Sequence, residues 1–392
     1  MWLLFACASP TMPESRPEMR PRPSPHASRA RRVRTLDVDC AGGAAYRTIE
    51  DALDDARSGD RISVAPCTYE GSISFKGKAV LIESTSGAAV TTIVGMPGEP
   101  VIKSKHGEGA GTEIAGFTIT GGGGEVEPAI EVQFSALTLR DDIVSGNTGT
   151  VTLLSKFGHV VVERTLFEEN TASEGFVVQE WRGMTVLKDS VVRCGAVGIG
   201  YLTEHSAAFA DGTTFDCPGA VGMEIYHSDG RVQRSVVDGL LRIENEGLEE
   251  ERAVVEDTVL LGGATLETAG VTLRNVVSLD AITVTNSTVV VEGSVITGAS
   301  CGIDATASTV TFRNVDFWEN VSDTCGLDSP VGVEGSFSED PMFVDLLGRD
   351  FRLAAGSPCL DTGPVGFGYD DPDGTPNDIG AYGGPLSLGG GW

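Results

Sequence analysis

Between residues 112 and 320 one short pattern returns at intervals of 18 to 25 residues: an apolar residue, a charged or polar one, a small polar pair and a second apolar residue. The closing positions are Ile119, Val144, Phe167, Val192, Phe215, Val237, Leu260, Ser278, Ile296 and Phe317. Five residues before each stand Ile114, Leu139, Val162, Leu187, Ala210, Val232, Val255, Leu273, Val291 and Phe312. The bracketed segments alternate inward and outward side chains with the period of strands, and helical spacing is absent. A period of this length marks a solenoid. Stacked at the strand spacing of about 4.8 Å with apolar side chains central, the coils predict an all-β, right-handed parallel β-helix.

The register can be checked on the outward positions. Four residues before the closing positions, from Val144 on, the copies read Arg140, Glu163, Lys188, Asp211, Gln233, Glu256, Arg274, Glu292 and Arg313. Signs alternate along most of this column, as stacked strands favour when equivalent side chains become neighbours. A groove for an anionic polymer would need an excess of one sign, so the column is expected to be a structural ladder. Asn147 and Asn170 align in adjacent coils and are expected to form a hydrogen-bonded turn ladder. Asp142 shares the small-polar turn column of Thr165, Ser190, Thr213, Ser235 and Thr258, which assigns it to a turn.

Ahead of the repeat, residues 48–58 read as a short amphipathic helix with Thr48 as N-cap, Asp51 near the capping-box position and Gly59 as stop. It is expected to plug the open end of the solenoid, with residues 61–69 and 79–84 as the first strands. Thr48-Ile49 with Ala52, the run from Gly59 to Pro66, Thr68-Tyr69, Gly77 to Ile82 and Gly116 to Ile119 together resemble the opening of β-helix proteins of the pectate lyase and pectin methylesterase superfamily. That resemblance implies the fold and identifies no active site. Asp340 to Asp345, Asp350 to Leu353, Gly356 to Gly363 and Asp378 to Tyr382 resemble the C-terminal module of bacterial surface β-helix proteins termed choice-of-anchor Q, which implies a secreted or surface-held protein. After Tyr382 the chain departs from that module's usual acidic continuation with Gly383-Gly384-Pro385. The expected organisation is a truncated lipoprotein-type signal and Pro/Arg-rich linker at 1–34, the β-helix at 35–335 and the C-terminal module at 336–392.

Composition narrows the function. A net charge of -28 and a pI near 4.4 argue against nucleic acid, whose phosphates demand clustered cations. No apolar stretch reaches the 18 residues of a spanning helix. Leu4-Phe5-Ala6-Cys7 resembles a lipobox, so the membrane enters only through a lipid on Cys7. Cys194 and Cys217 lie two residues past closing positions of adjacent coils, Cys301 and Cys325 are also one coil apart, and Cys40 and Cys67 flank the first turn. Three such pairs predict disulfides and an oxidising compartment.

The site candidate is a further outward column. Ten residues before Phe167, Val192, Phe215 and Val237 stand Phe157, Arg182, His205 and His227, with Lys156, Trp181, Glu204 and Tyr226 beside them and Glu180 and Glu224 close in sequence. Aromatics stack on sugar faces, while His, Arg or Glu move protons or hold acidic sugars. Arg182, His205, His227 and Glu204 are the catalytic candidates; Trp181, Tyr226 and Lys156 are the ligand-binding ones. The competing reading is that unequal loops scatter these residues over the surface. No cofactor motif occurs. Calcium is the ion the acidic stretches suggest, at Asp371 and Asp373 or in the loop at 244–251, and both stretches also read as solvated turns.

Three functions follow from these features. The first is a monomeric envelope protein, secreted or lipid-anchored, that binds a polysaccharide or other surface polymer. The second is a polysaccharide lyase, esterase or hydrolase, against which the absence of an aligned carboxylate set counts. The third is a structural spacer or adhesin module.

Overall fold

Each closing residue of the repeat sits beside its counterpart one coil on: Ile119 pairs with Val144, Val144 with Phe167, and so on to Ile296 with Phe317. The residues five places earlier pair in the same order, from Ile114 with Leu139 to Val291 with Phe312. The computed structural model describes residues 32–245, 252–366 and 369–385, and from Arg34 onward they form one unit.

Three parallel ladders make the walls of a β-solenoid of about twelve turns. The first climbs from Thr35–Val38 to Thr309–Arg313, the second from Thr68–Glu70 to Asp316–Trp318, and the third from Ile73–Ser74 to Thr324–Cys325. Some strands round a corner without breaking; Thr214–Tyr226 serves the second and third ladders. Alternation puts one apolar side chain of each rung inside, and Phe117, Phe167, Phe215 and Phe317 are wholly buried there. Each such ring contributes roughly 2–3 kcal/mol through the area it removes from water.

The cap is a helix, Ile49–Asp55, whose Ile49, Ala52 and Leu53 join the solenoid core. The Thr48 hydroxyl accepts from the Asp51 amide at 3.1 Å, as the N-cap reading requires. The helix stops at Asp55, three residues short of expectation. Asp60 is the reason: its carboxylate takes the Arg57 amide at 2.9 Å, which pulls that segment out of helical geometry. The first ladder also starts one rung earlier than the expected first strands, at Thr35–Val38.

All three expected disulfides are present: Cys40–Cys67, Cys194–Cys217 and Cys301–Cys325. Cys359 is buried and free. The charged column is a ladder, with a difference in partner choice. Lys188 lies 3.9 Å from Glu163, and Arg274 meets both Glu292 and Glu256. Arg140 instead turns to Glu113 at 2.6 Å, and Asp211 pairs with Arg234 from the following corner, because long cations reach diagonal neighbours as easily as direct ones. Asn147 donates to Asn170 at 3.0 Å, and buried Asp142 accepts from the Phe117 and Arg140 amides, so both are turn residues.

Beyond the last coil, Phe343–Asp345 and Asp350–Leu353 form a two-stranded antiparallel hairpin. The chain then returns along the outer face of the second ladder. There Phe351, Cys359, Ile379 and Ala381 cover the outward Val259, Val277 and Val295 in a second, small core. The Gly380 amide donates to the Gly293 carbonyl at 2.8 Å, and Tyr369 donates to Glu292 while Arg274 and Arg313 lie over its ring.

Candidate functional site

The corner from the third ladder to the first gathers the expected column. Lys156, Trp181, Glu204 and Tyr226 are direct register partners on consecutive coils. At the next position Phe157, Arg182, His205 and His227 all take left-handed backbone, with φ between 46° and 55°, and each amide donates to the carbonyl one coil on. The ten-residue run from this corner to the closing position is constant while the length differences fall at the second-to-third corner, so the register holds and the residues are not scattered. The left-handed turn recurs at the opposite corner in Asp141, Arg164 and Asp189, which makes it a property of the coil rather than a mark of function.

The rings form two groups of contacts along the solenoid axis, Phe134–Phe157–Trp181 and His205–Tyr226–His227. Phe134, a member of the column that the spacing argument did not include, stacks on Phe157 with centroids 4.7 Å apart and planes 4° from parallel. Phe157 and Trp181 meet in a T-shaped contact at 4.9 Å and 75°, and the Arg182 guanidinium lies 4.9 Å from the Trp181 ring centre. Tyr226 and His227 stack at 4.0 Å, and His205 lies 5.0 Å from His227. Two consequences follow. Phe134, Phe157, Tyr226 and His227 turn ring faces to one another, which removes those faces from a ligand. Trp181 stands across the Phe134–Phe157 stack with Arg182 over its ring, and His205 is likewise tilted from Tyr226 and His227. Beside Trp181 the outer face of the first ladder carries Met184, Val186 and the exposed Phe209, which widens the apolar surface.

Proton-transfer geometry is poor in this corner. His205 Nε2 lies 4.0 Å from Glu204 Oε1, beyond hydrogen-bond reach, and among the described residues Arg182 has no carboxylate within ion-pair distance. Glu224 is engaged by Arg242 at 3.3 Å. Glu180, beneath the corner, is wholly buried, and burial raises its carboxyl to about 7. Strand alternation signals this placement: Trp181 points out, so its neighbour Glu180 points in.

No group of three or more His, Cys, Asp or Glu converges on a metal-sized space among the described residues. Asp371 accepts from the Gly384 and Asp378 amides and so ties together the end of the described segment, while Asp373 accepts from Thr375 within a turn. Residues 246–251 of the acidic loop, and Cys7, lie outside the described residues. A surface groove of about 470 Å³ runs along the second-to-third corner past Gly98, Gly124, Thr148, Thr171 and Ser173; Glu125 is its one charged residue, and it has no ring.

No family profile and no curated protein matches this sequence. Among solved structures, pectate lyase Pel9A aligns over 89% of this chain and 97% of its own at 14% identity and a TM-score of 0.45. The catalytic unit of the thermostable GH87 α-1,3-glucanase from Streptomyces thermodiastaticus strain HF3-3 aligns over 74% and 63% at 12% identity and a TM-score of 0.40. The A-module of the Azotobacter vinelandii mannuronan C-5 epimerase AlgE4 aligns over 74% and 92% at 13% identity and a TM-score of 0.23. No activity or residue role is taken from them. The class of protein defined by fold and site is a parallel β-solenoid with an aromatic and cationic corner.

Proposed function

We propose that this is a carbohydrate-binding β-solenoid of the cell envelope that holds a glycan or similar surface polymer at the Trp181–Arg182 corner without a catalytic step. The observation that carries the reading is Trp181 itself, set across the axial ring stack, with Arg182 over it and Lys156 on the neighbouring coil. An apolar plane with adjoining cations suits a sugar ring bearing acidic substituents. Three disulfides fit an oxidising compartment. Lipidation at Cys7, and a surface-holding role for the C-terminal module, belong to the same proposal.

A spacer or adhesin module is the second reading, favoured by the Phe134–Phe157 and Tyr226–His227 stacks, which satisfy each other. The test is a glycan array and a soluble polysaccharide panel with the full chain, with and without calcium, with depolymerisation products assayed in parallel. Binding lost in Trp181→Ala and Arg182→Ala, without products, is the expected result. Binding unchanged in both variants moves the site elsewhere; products that vanish in an Arg182→Ala, His205→Ala variant make the protein an enzyme; silence across the panel leaves the spacer.

A further inference from the structure

Glu180 Oε2 accepts the Thr185 hydroxyl at 2.6 Å, which ties the strand ending at Trp181 to the one beginning at Met184 across the inside of the corner. Oε1 occupies the space under Gly183, where an added Cβ would lie 2.1 Å from it. Neighbouring coils have no such tie. In the register, Glu180 and Thr185 correspond to Ser155 and Val160 on one side and to Thr203 and Ala208 on the other. One coil further on they become Ile225 and Gly230. Apolar or small pairs therefore suffice to close this corner, and a buried acid adds a desolvation cost they avoid. The coil that keeps the acid is the one that presents Trp181 and Arg182.

We infer that Glu180 is a positioning residue for the Trp181–Arg182 corner: as a neutral acid it closes the inside of the corner in its ligand-receiving geometry, and a charge buried there with no cation beside it opens the corner. This rests on the reading of that corner as the binding site. The groups facing Glu180 from each packed strand are Ser155, Thr203, Thr185 and Tyr201, and no cation is among them. Glu180 Oε1, Ser155 Oγ and Thr203 Oγ1 are buried without hydrogen-bond partners, while the Tyr201 hydroxyl donates to the Thr185 carbonyl at 3.3 Å. A neutral acid can donate toward one of those oxygens; a carboxylate keeps the Thr185 hydroxyl but brings into the lumen a charge that no cation balances. Lys156, Arg182, Glu204 and His205 lie on the outer side of the corner. Burial raises the carboxyl to about 7. A raised acid is neutral at low pH, so the hold is complete under acidic conditions and is lost as pH rises through about 7.

The test reads Trp181 emission, taken as the difference between the full chain and Trp181→Phe, from about pH 5 to about pH 9. In the parent protein the signal is expected to change near neutrality. In Glu180→Gln, which keeps an acceptor for Thr185 and carries no charge, it stays at its acidic value throughout. Glu180→Leu, neutral at every pH as the apolar pairs of neighbouring coils are, likewise shows no transition. Retention in gels containing sodium polygalacturonate is expected to be about fivefold or more weaker at about pH 8.5 than at about pH 5.5 in the parent, and level in Glu180→Gln. A Trp181 signal that titrates alike in Glu180→Gln arises from another group and overturns the inference, as does a signal that is flat in the parent. Absence of retention on the polymer counts against the binding reading alone, because the emission series decides the role of Glu180 independently.

Discussion

Arg349 Nη1 lies 2.6 Å from Asp238 Oδ2, an ion pair between a hairpin turn beyond the last coil and a buried carboxylate on the second ladder, 111 residues apart in sequence. It pins the returning C-terminal segment over Val259, Val277 and Val295. Arg349→Ala is expected to cost about 1 kcal/mol, since the arginine side is largely in water. Deleting residues 337–392 should instead expose the valine stripe. The check is binding of a hydrophobic dye together with the thermal midpoint; a truncated chain that binds no more dye than the parent would mean the segment is not a cover.

Asn170 holds three groups at once: its Oδ1 accepts from the Asn147 amide and side chain, and its Nδ2 donates to the Val144 carbonyl at 2.8 Å. Asn170→Ala strands these in a buried corner, and a loss of roughly 3 kcal/mol is expected in urea denaturation. Asp in its place keeps the acceptor but not the donor and should lose less.

Cys194 and Cys217 join adjacent coils beside Gly200, with Cα atoms 4.9 Å apart. The double change to alanine is expected to lower stability by about 2–4 kcal/mol. In a background with Cys40–Cys67 and Cys301–Cys325 replaced, dithiothreitol should reproduce the drop, and it should add nothing once Cys194 and Cys217 are alanine as well.

Two buried acids set a pH dependence. Burial raises both Asp257 and Asp316 from 3.8 to about 7. Each is raised above its unfolded value, so its share of stability is complete below about 4, is lost as pH rises through about 7 and levels off beyond. The share per group is on the order of 4 kcal/mol at most. Asp316→Asn keeps an acceptor for the Glu339 amide, and Asp257→Asn keeps one for Asn275. Both should unfold later than the parent at about pH 8.5 and flatten the profile. Variants that lower the midpoint equally at acidic and alkaline pH would refute this account.

The register of the solenoid was legible in the chain because one inward residue per rung must be apolar and one outward residue must suit the neighbour above it. A single period therefore carries both the core and the charge ladder. That is why Ile119 to Phe317 fell into one column, why the Cys194 and Cys217 positions could be matched, and why Lys156, Trp181, Glu204 and Tyr226 could be placed side by side. Phe134 obeys the same rule, ten residues before Val144, and was missed only because the column was begun one coil later, at Phe167.

What spacing cannot contain is the direction of a side chain within its column. Phe134 lying flat on Phe157 while Trp181 stands across them depends on rotamers chosen by contacts on three coils. Glu180 could be turned inward by parity alone, but its link to Thr185 and the bare oxygens of Ser155 and Thr203 exist only once strands far apart in sequence close the corner. The return of the C-terminal segment onto Val259, Val277 and Val295 is of the same kind. Sequence by itself determined a repeating strand, its inward face and its neighbours; tertiary packing decided which rings remain open, which acids lose water and which outer face is covered, because those depend on contacts that no local period specifies.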